Sequence, residues 1–521
     1  MRAVTLLMAA ALALVWIADF LGGEGGDPVW LRALKAGAVI AVFIVFVRAT
    51  ARRSNQKDGS DDGAAILVAF ASQSGAAEGI AKRTAAALAA GGLHARLADL
   101  GALDAAEISR FDTALFIAST TGEGDPPDNA GAFAERDMRN PAALNGLRYA
   151  VLALGDRGYA DFCGFGRRLD AWLAESGAAA LFGRIDVNRG DERAISEWFA
   201  RIAGLGAGKA ETAPAFQKWR LAERRVLNPG SDNPPLFHIG LSPPGAIAPW
   251  RAGDIAVISP RNDPKEVERL LSALPLDPLA PVILYGERMP LREALARLEL
   301  PARQGLAHLK SAQALADALP LLPLREYSLA SLPQDGAAEL VVREMRRPDG
   351  ALGVGSGWLT RYAESGGEIA MRIRENRTFQ GPPDDRPMIL VGAGSGVAGL
   401  RAHLKERRAA GRHDNWLLFG ERSIDKDYLY RDEIESWVKE GAIRRLDLGF
   451  MDENGAQVLV QDLLRKSADD VLAWIGNGAA VYVCGSRARV GDGVDAALRD
   501  IIGEAGVRTL LAAGNYRRDV Y

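Results

Sequence analysis

The chain has 521 residues, which is too long for one hydrophobic core and implies roughly two to four domains. Its apolar content of 48% and charged content of 25% are ordinary for a globular protein, and a net charge of -3 gives no reason to expect nucleic acid. Two distant cysteines, Cys163 and Cys484, exclude a disulfide framework or a multi-cysteine metal site, and the five histidines form no metal-like cluster.

The first fifty residues contain two apolar runs, Ala3–Ala18 and Ala36–Val47, joined by a Gly-rich polar turn. With their flanks, each reaches the length of about 20 residues that a bilayer requires. Basic residues concentrate at the outer ends of this hairpin, which predicts that both ends stay on the cytoplasmic side. The sequence therefore predicts a transmembrane anchor over 1–50 in the inner membrane, with catalytic domains facing the cytoplasm. The alternative is a cleaved signal peptide over 1–22, which would export the chain away from a nicotinamide donor.

Residues 51–63 are polar and Gly-containing, and they predict a flexible linker. From residue 64 short apolar runs alternate with Ala/Leu-rich stretches, which is typical of a doubly wound α/β domain and predicts one over 64–207. The expected strands and helix are Ile66–Phe70, Thr113–Ile117, Tyr149–Ala153 and 76–90.

The remainder of the chain changes character twice. Residues 208–384 are richer in proline and in short strand-like runs, which predicts a barrel-like domain. Met388–Val391 then opens a second α/β unit, predicted over 385–521.

Three loops that follow predicted strands carry small and polar residues. Ala71–Glu78 combines hydroxyls with free N–H groups at a helix start, which suits a phosphate, although a turn of small residues is the alternative. It lacks the lysine of a nucleotide-triphosphate loop. Ser119–Ala130 and Leu154–Phe162 follow the next two strands. All three loops are therefore expected at the carboxyl ends of parallel strands, where such sheets bind ligands.

Together these loops resemble the flavodoxin-like FMN domain of the diflavin reductases, a family that includes cytochrome P450 reductase and the sulfite reductase flavoprotein. The resemblance covers residues 64–521 and implies that the chain uses FMN, FAD and NADPH or NADH. Thr121 stands where relatives place an aromatic residue, Asp156 replaces an asparagine, and core packing is the alternative role for Tyr159. The residues implied for FMN are Ser72, Gln73, Ser74, Gly75, Ala76 and Ala77 at the phosphate, and Ser119, Thr120, Thr121, Gly122, Gly124, Leu154, Gly155, Tyr159 and Phe162 around the ring.

The segment Arg325-Glu-Tyr-Ser328 matches the FAD signature of the same family. The resemblance assigns Arg325 to the pyrophosphate, Tyr327 to the isoalloxazine and Ser328 to the neighbourhood of its N5. It also identifies Gly353–Leu359 as the second phosphate turn, through Gly355 and Ser356. The segment between Arg220 and Arg325 is shorter than in larger relatives, which implies a reduced connecting domain.

Gly392–Ala398 follows a predicted strand and resembles a turn that binds dinucleotide pyrophosphate, through Gly392, Gly394, Ser395 and Gly396. The resemblance places Cys484 beside the nicotinamide, with an inert buried thiol as the alternative. It groups Ser328, Cys484 and Asp519 as catalytic residues for hydride transfer. Tyr521 is expected to cover the FAD face opposite Tyr327 and to move before nicotinamide binds.

The stretch Phe450–Leu459 matches the segment that selects NADPH in the family. Its Arg, Lys and Tyr positions are Asp452, Gln457 and Leu459 in this sequence. A carboxylate suits a free ribose 2′-hydroxyl better than a phosphate. The sequence therefore predicts that NADH is used at least as well as NADPH. An alternative grip on the phosphate comes from the basic residues Arg422, Arg487 and Arg489.

The functional expectation is a membrane-anchored diflavin oxidoreductase, an NAD(P)H-dependent flavoprotein reductase of the haemoprotein-reductase type. Electrons are expected to pass from NAD(P)H to FAD, then FMN, then a one-electron acceptor. The expected acceptor is a haem protein or a membrane ferric or siderophore reductase. One alternative is a sulfite reductase flavoprotein subunit. Another is a non-catalytic flavin-binding regulatory protein, against which the intact Ser328, Cys484 and Asp519 argue.

Overall fold

The computed structural model describes residues 65–209, 214–246, 249–300, 311–452 and 454–521. The anchor predicted over 1–50 and the linker over 51–63 lie outside these residues. Within the described ranges, no helix is both long enough and apolar enough to cross a membrane. The longest of them, Asp492–Ala512, is interrupted at Gly503 and begins with two acidic residues in its first turn.

The first region is a parallel six-stranded sheet with helices on both faces. Its strands run in the order β2-β1-β3-β4-β5, and β6 pairs with β4. The middle strands are buried along almost their whole length, which is why they read as continuous apolar runs in the sequence. The strands are β1 (Ile66–Ala71), β2 (Ala95–Asp99), β3 (Thr113–Ser119), β4 (Arg148–Gly155), β5 (Ala179–Ala180) and β6 (Ile185–Asn188).

The second region contains six antiparallel strands in the order β12-β9-β14-β7-β8-β13. The two end strands of this order meet, because the Ala330 N–H after β12 donates to the Glu339 oxygen of β13 at 2.8 Å. This contact closes the sheet into the predicted barrel-like form. The strands are β7 (Gln217–Val226), β8 (Leu236–Ser242), β9 (Ile255–Ser259), β12 (Arg325–Ser328), β13 (Ala338–Arg343) and β14 (Glu368–Arg374).

Between β9 and β12 lies a small unit with its own apolar cluster, built from three helices and the antiparallel hairpin of β10 (Pro281–Leu284) and β11 (Glu287–Pro290). Residues 301–310 within this segment are outside the described part. The cluster occupies the place in the chain where the sequence implies a reduced connecting domain.

The third region is a parallel five-stranded sheet in the order β17-β16-β15-β18-β19. Separate apolar clusters cover its two faces, as expected for a doubly wound sheet. The strands are β15 (Met388–Ala393), β16 (Asn415–Gly420), β17 (Arg445–Gly449), β18 (Ala480–Gly485) and β19 (Tyr516–Val520).

The α-helices that the structure describes are consistent with this alternation, and the expected helix near 76–90 is present at Ala76–Ala90. In the first region they are Ala76–Ala90, Ala105–Ile108, Gly131–Arg136, Gly164–Glu175 and Glu192–Ala203. In the second region they are Pro264–Ser272, Leu291–Arg297, Ala312–Ala318 and Val354–Gly357. In the third region they are Val397–Ala409, Arg431–Lys439, Val460–Lys466, Ala468–Gly476 and Asp492–Ala512.

Both parallel sheets have a point where the connections leave a strand in opposite directions. In the first sheet β1 lies between β2 and β3, and in the third β15 lies between β16 and β18. The loops that follow β1, β3, β15 and β18 diverge at these points and leave crevices at the carboxyl ends of the strands. The topology thus places the predicted phosphate-binding turns at the two crevices.

Candidate active site

A single continuous cavity of about 1730 Å³ runs past the carboxyl ends of both parallel sheets and along strand β12. Ordinary small-molecule sites measure about 300–1,000 Å³, so this cavity has room for more than one cofactor. Most of the residues predicted to bind cofactors line it. The predicted residues that do not line it are Ser72, Ala77, Gly124, Phe162, Gly392, Gly396, Asp452 and Cys484.

The loops after β1 and β3 contain buried hydroxyls without a hydrogen-bond partner in the described part of the chain. They belong to Ser72, Thr120 and Thr121. Buried polar groups are normally paired, because an unpaired group loses its hydration without compensation. The Ser72 N–H is already used, since it donates to Asn129 Oδ1 at 3.0 Å. Thr120 and Thr121 line the cavity, where their hydroxyls fit a ligand with polar ring atoms such as FMN, whereas Ser72 does not line it.

Two aromatic residues after β4 take different positions. Tyr159 lines the cavity and is 37% exposed, which supports stacking on a ligand over its alternative of core packing. Phe162 lies outside the cavity, and the Arg157 guanidinium sits 5.2 Å from its ring centroid. The structure therefore does not bring Phe162 to the site, because this ring packs beneath an arginine of its own loop.

Arg325 and Gly355 form the predicted pyrophosphate cradle. The Arg325 side chain passes through the space that a side chain on Gly355 would occupy, and the Tyr327 hydroxyl lies 3.0 Å from that space. Burial, together with the nearby Arg189 cation, lowers the pKa of Arg325, and its hydrogen bonds go to the carbonyl groups of Pro323 and Leu324. Among the described residues this desolvated guanidinium donates only to carbonyl oxygens, which leaves it suited to an anionic diphosphate.

Ser328, Cys484 and Asp519 meet although they come from β12, β18 and the C-terminal strand β19. Ser328 Oγ donates to Asp519 Oδ2 at 2.5 Å, and Cys484 Sγ lies 3.8 Å from the same oxygen. Burial raises the pKa of Cys484 well above its usual value, and the Asp519 charge adds to this effect. Burial also raises the pKa of Asp519, which the Ser328 hydrogen bond opposes. Ser328 Oγ and Cys484 Sγ therefore both approach one oxygen of Asp519.

Tyr521 ends the chain beside the Gly-rich turn after β15. Its hydroxyl lies 2.8 Å from Ser395 Oγ, and its N–H donates to the Gly485 oxygen at 3.1 Å. The residue is 50% exposed and lines the same cavity as Tyr327 and Ser328. The Tyr521 ring is thus half exposed at the edge of the cavity, and its hydroxyl is held by the turn after β15.

The predicted donor-selecting segment forms a tight turn. Asp452 Oδ1 accepts from the N–H groups of Asn454 at 2.9 Å and Ala456 at 2.8 Å, so this carboxylate caps its own loop. Gln457 lines the cavity and donates to the Glu421 oxygen at 2.8 Å. Arg422 and Arg489 line the cavity too. Arg487 does not, because its side chain pairs with Asp125 and Asp492.

Sequence reasoning missed residues from the second and third regions that hold the loop after β1. Arg374 donates to Ser74 Oγ at 3.1 Å, and Thr378 Oγ1 donates to the Gln73 oxygen at 2.6 Å. Arg518 pairs with Asp128, and its carbonyl oxygen accepts from Gln73 Nε2 at 3.1 Å. No sequence signal identifies these pairs, because the partners lie hundreds of positions apart in the chain.

Comparisons with known proteins agree with this architecture. Residues 68–199 match the flavodoxin family, and residues 390–492 match the oxidoreductase NAD-binding domain family. The sulfite reductase (NADPH) flavoprotein alpha-component of Klebsiella pneumoniae is 30% identical over 540 residues, covering 88% of this chain and 90% of the relative. The protein of the same name from Bacillus subtilis is 28% identical over 538 residues, covering 88% of this chain and 89% of the relative.

These comparisons correct one prediction. The inner-membrane localisation with catalytic domains facing the cytoplasm is wrong: the relatives that cover 88% of the chain are sulfite reductase flavoprotein components. In the part of the chain that the structure describes, no helix could span a membrane. Two short apolar runs are a weak signal on their own, because each reaches a spanning length only when its polar flanks are included.

Proposed function

The chain belongs to the diflavin reductase family, and from that premise we propose that it is the flavoprotein component of a sulfite reductase. It is an NADPH-dependent flavoprotein oxidoreductase that uses FMN and FAD. The relatives named as sulfite reductase flavoprotein components carry the proposal, and the continuous cavity of about 1730 Å³ supports the cofactors, because most of the residues predicted to bind them line it. When bound, FAD accepts an electron pair from the nicotinamide and FMN releases the electrons singly.

The narrower prediction of a haemoprotein-reductase type is not supported by the relatives from Klebsiella pneumoniae and Bacillus subtilis, both of which are sulfite reductase flavoprotein components. We propose instead that the acceptor is a haem-containing partner subunit that reduces sulfite. Ser328, Cys484 and Asp519 are proposed to hold the nicotinamide and the flavin ring in register. Tyr521 is proposed to cover the flavin until the nicotinamide displaces it.

The acceptor assignment is tested by reconstitution. We expect the purified chain, loaded with both flavins, to reduce cytochrome c with NADPH and to drive sulfide formation when a sirohaem-containing sulfite reductase subunit is added. Sulfide production and NADPH oxidation are measured together. Cytochrome c reduction without any sulfide would contradict the sulfite reductase assignment and leave the diflavin chemistry intact. Failure of both reactions would contradict the proposal as a whole.

Donor choice is a separate proposal that rests on Gln457, which lines the cavity, whereas Asp452 caps its own loop. NADPH is a donor for this family, and we propose that NADH is used at least as well, because no lysine stands at position 457 to meet a 2′-phosphate. The Gln457→Lys variant is expected to raise the ratio of kcat/KM for NADPH to that for NADH about tenfold, the effect of a charge-assisted contact.

Steady-state kinetics with each donor check this expectation, and an unchanged kcat/KM for NADH serves as the internal control. The Arg422→Ala variant tests the alternative that Arg422 binds the 2′-phosphate of NADPH. If it does, this variant lowers kcat/KM for NADPH and leaves kcat/KM for NADH unchanged. A strong preference of the unmodified chain for NADPH would overturn the proposal.

A further inference from the structure

Arg487 belongs to the third region, three positions after Cys484, yet its side chain reaches the first region. The guanidinium pairs with Asp125, and its Nε lies 3.3 Å from Asp492 Oδ1. Asp125 belongs to the loop that follows β3, the strand whose loop lines the cavity at Thr120, Thr121 and Gly122. A cation from the nicotinamide-binding region therefore contacts the loop predicted to surround the FMN ring.

The loop that Arg487 contacts, Thr121–Asp125, is closed by two backbone hydrogen bonds. The Thr121 N–H donates to the Asp125 oxygen and the Asp125 N–H donates to the Thr121 oxygen, both at 2.9 Å. Gly122 between them has φ +53, and the Arg487 guanidinium fills the space that a side chain at this position would take. Glycine thus lets the cation pack directly on the loop backbone, beside Thr121, whose buried hydroxyl has no hydrogen-bond partner among the described residues.

Arg487 is also held in place by backbone contacts within the third region. Its backbone N–H donates to the carbonyl oxygen of Tyr521 at 3.0 Å, and the Tyr521 N–H donates to the Gly485 oxygen at 3.1 Å. The side chain is 29% exposed, and its Nη1 is buried without a hydrogen-bond partner in the described residues. Such a buried donor carries a desolvation cost, which the pair with Asp125 and the packing on Gly122 offset.

We propose that Arg487 is a positioning residue for FMN. Its contacts with Asp125 and Gly122 hold the segment Thr121–Asp125 in the conformation that lines the cavity. FMN affinity therefore depends on contact between the two regions. The inference rests on the proposed function only in that the chain carries FMN, and it is independent of the acceptor.

The test measures FMN binding to the full-length chain after FMN is removed and FAD is retained. Quenching of FMN fluorescence gives the Kd. The Arg487→Gln variant is expected to bind FMN about fivefold more weakly, which is the upper range for a partly exposed ion pair. FAD occupancy stays unchanged and shows that the variant is folded. The Arg487→Lys variant keeps the charge and is expected to recover most of the affinity.

A matched control is Arg465→Ala, which removes another partly exposed arginine of the same region, paired with Asp500 at 2.9 Å. We expect its FMN affinity to equal that of the unmodified chain. The Asp125→Asn variant is expected to weaken FMN as Arg487→Gln does, and the double variant to add nothing further, because both changes break one contact.

An unchanged Kd in Arg487→Gln overturns the inference, and so does an equal loss when Arg487→Gln is made in the Asp125→Asn background. A chain that binds no FMN under any condition would contradict the proposed function itself. A chain that shows the Arg487 effect but forms no sulfide would contradict only the acceptor assignment.

Discussion

The Asp519→Asn variant is expected to slow reduction of the flavin by NADPH about 100-fold, within the range of about 10²–10³ for removing one preorganised polar contact from a reacting centre. Asp519 Oδ2 accepts from Ser328 Oγ at 2.5 Å and lies 3.8 Å from Cys484 Sγ. An amide at this position carries no charge, so its oxygen is a weaker acceptor for both neighbours. Stopped-flow absorbance of the bound flavin in a single turnover measures the rate.

The same Asp-to-Asn substitution at a surface position serves as the control. Asp500→Asn alters a carboxylate that is 61% exposed and pairs with Arg465, and we expect it to leave the rate unchanged. FAD and FMN content should be equal in both variants. A rate for Asp519→Asn within twofold of the unmodified chain would show that the group of Ser328, Cys484 and Asp519 has no part in the reaction.

The pH dependence of flavin reduction by NADPH tests how Asp519 titrates. Burial raises the pKa of Asp519 and the Ser328 hydrogen bond lowers it, so the carboxylate form is lost as the pH falls through a raised pKa. Ser328→Ala removes the opposing hydrogen bond. The acid limb of the rate profile should therefore move to higher pH in this variant. A shift to lower pH would contradict this role of the Ser328 hydroxyl.

The Arg325→Ala variant is expected to weaken FAD binding about 100-fold while FMN is retained. Loss of one partner from a buried, hydrogen-bonded charge pair costs about 2–5 kcal/mol, which corresponds to a factor of 30 or more. In the described part of the chain, the Arg325 side chain donates only to the carbonyl oxygens of Pro323 and Leu324, at 3.2 and 3.1 Å. Burial lowers its pKa, so an anionic ligand is the natural counterion.

FAD and FMN content after gel filtration, followed by titration of the apoprotein with FAD, checks this prediction. Arg269→Ala is a matched control, since this arginine is 51% exposed and pairs with Glu266 on the surface of the same region. The melting temperature of the FAD-free variant separates weak binding from unfolding. It should not fall below that of FAD-free unmodified protein, because the change removes a desolvated charge. Full FAD occupancy in Arg325→Ala would remove this residue from the FAD site.

The local sequence determined much of the fold. Ile66–Ala71, Thr113–Ser119 and Met388–Ala393 are strands because they are buried apolar runs, and Ala76–Ala90 is a helix that begins at the polar turn after the first of them. Apolar periodicity is a local property, so it can be read without knowing the partners. The apolar runs of residues 1–50 show the limit of this reasoning, because hydropathy alone did not establish a membrane location.

The sequence by itself also identified the turns after β1, β3, β4 and β15 and the segment Arg325–Ser328, because small residues at strand ends form a local pattern. Only the tertiary structure decided which distant residues meet. It showed that Asp452 caps its own loop and that Phe162 lies outside the cavity, neither of which the sequence predicted. It also brings the Arg487 side chain into contact with Asp125, which lies 362 positions earlier in the sequence. Such contacts depend on how separate sheets pack, and no local pattern encodes that packing.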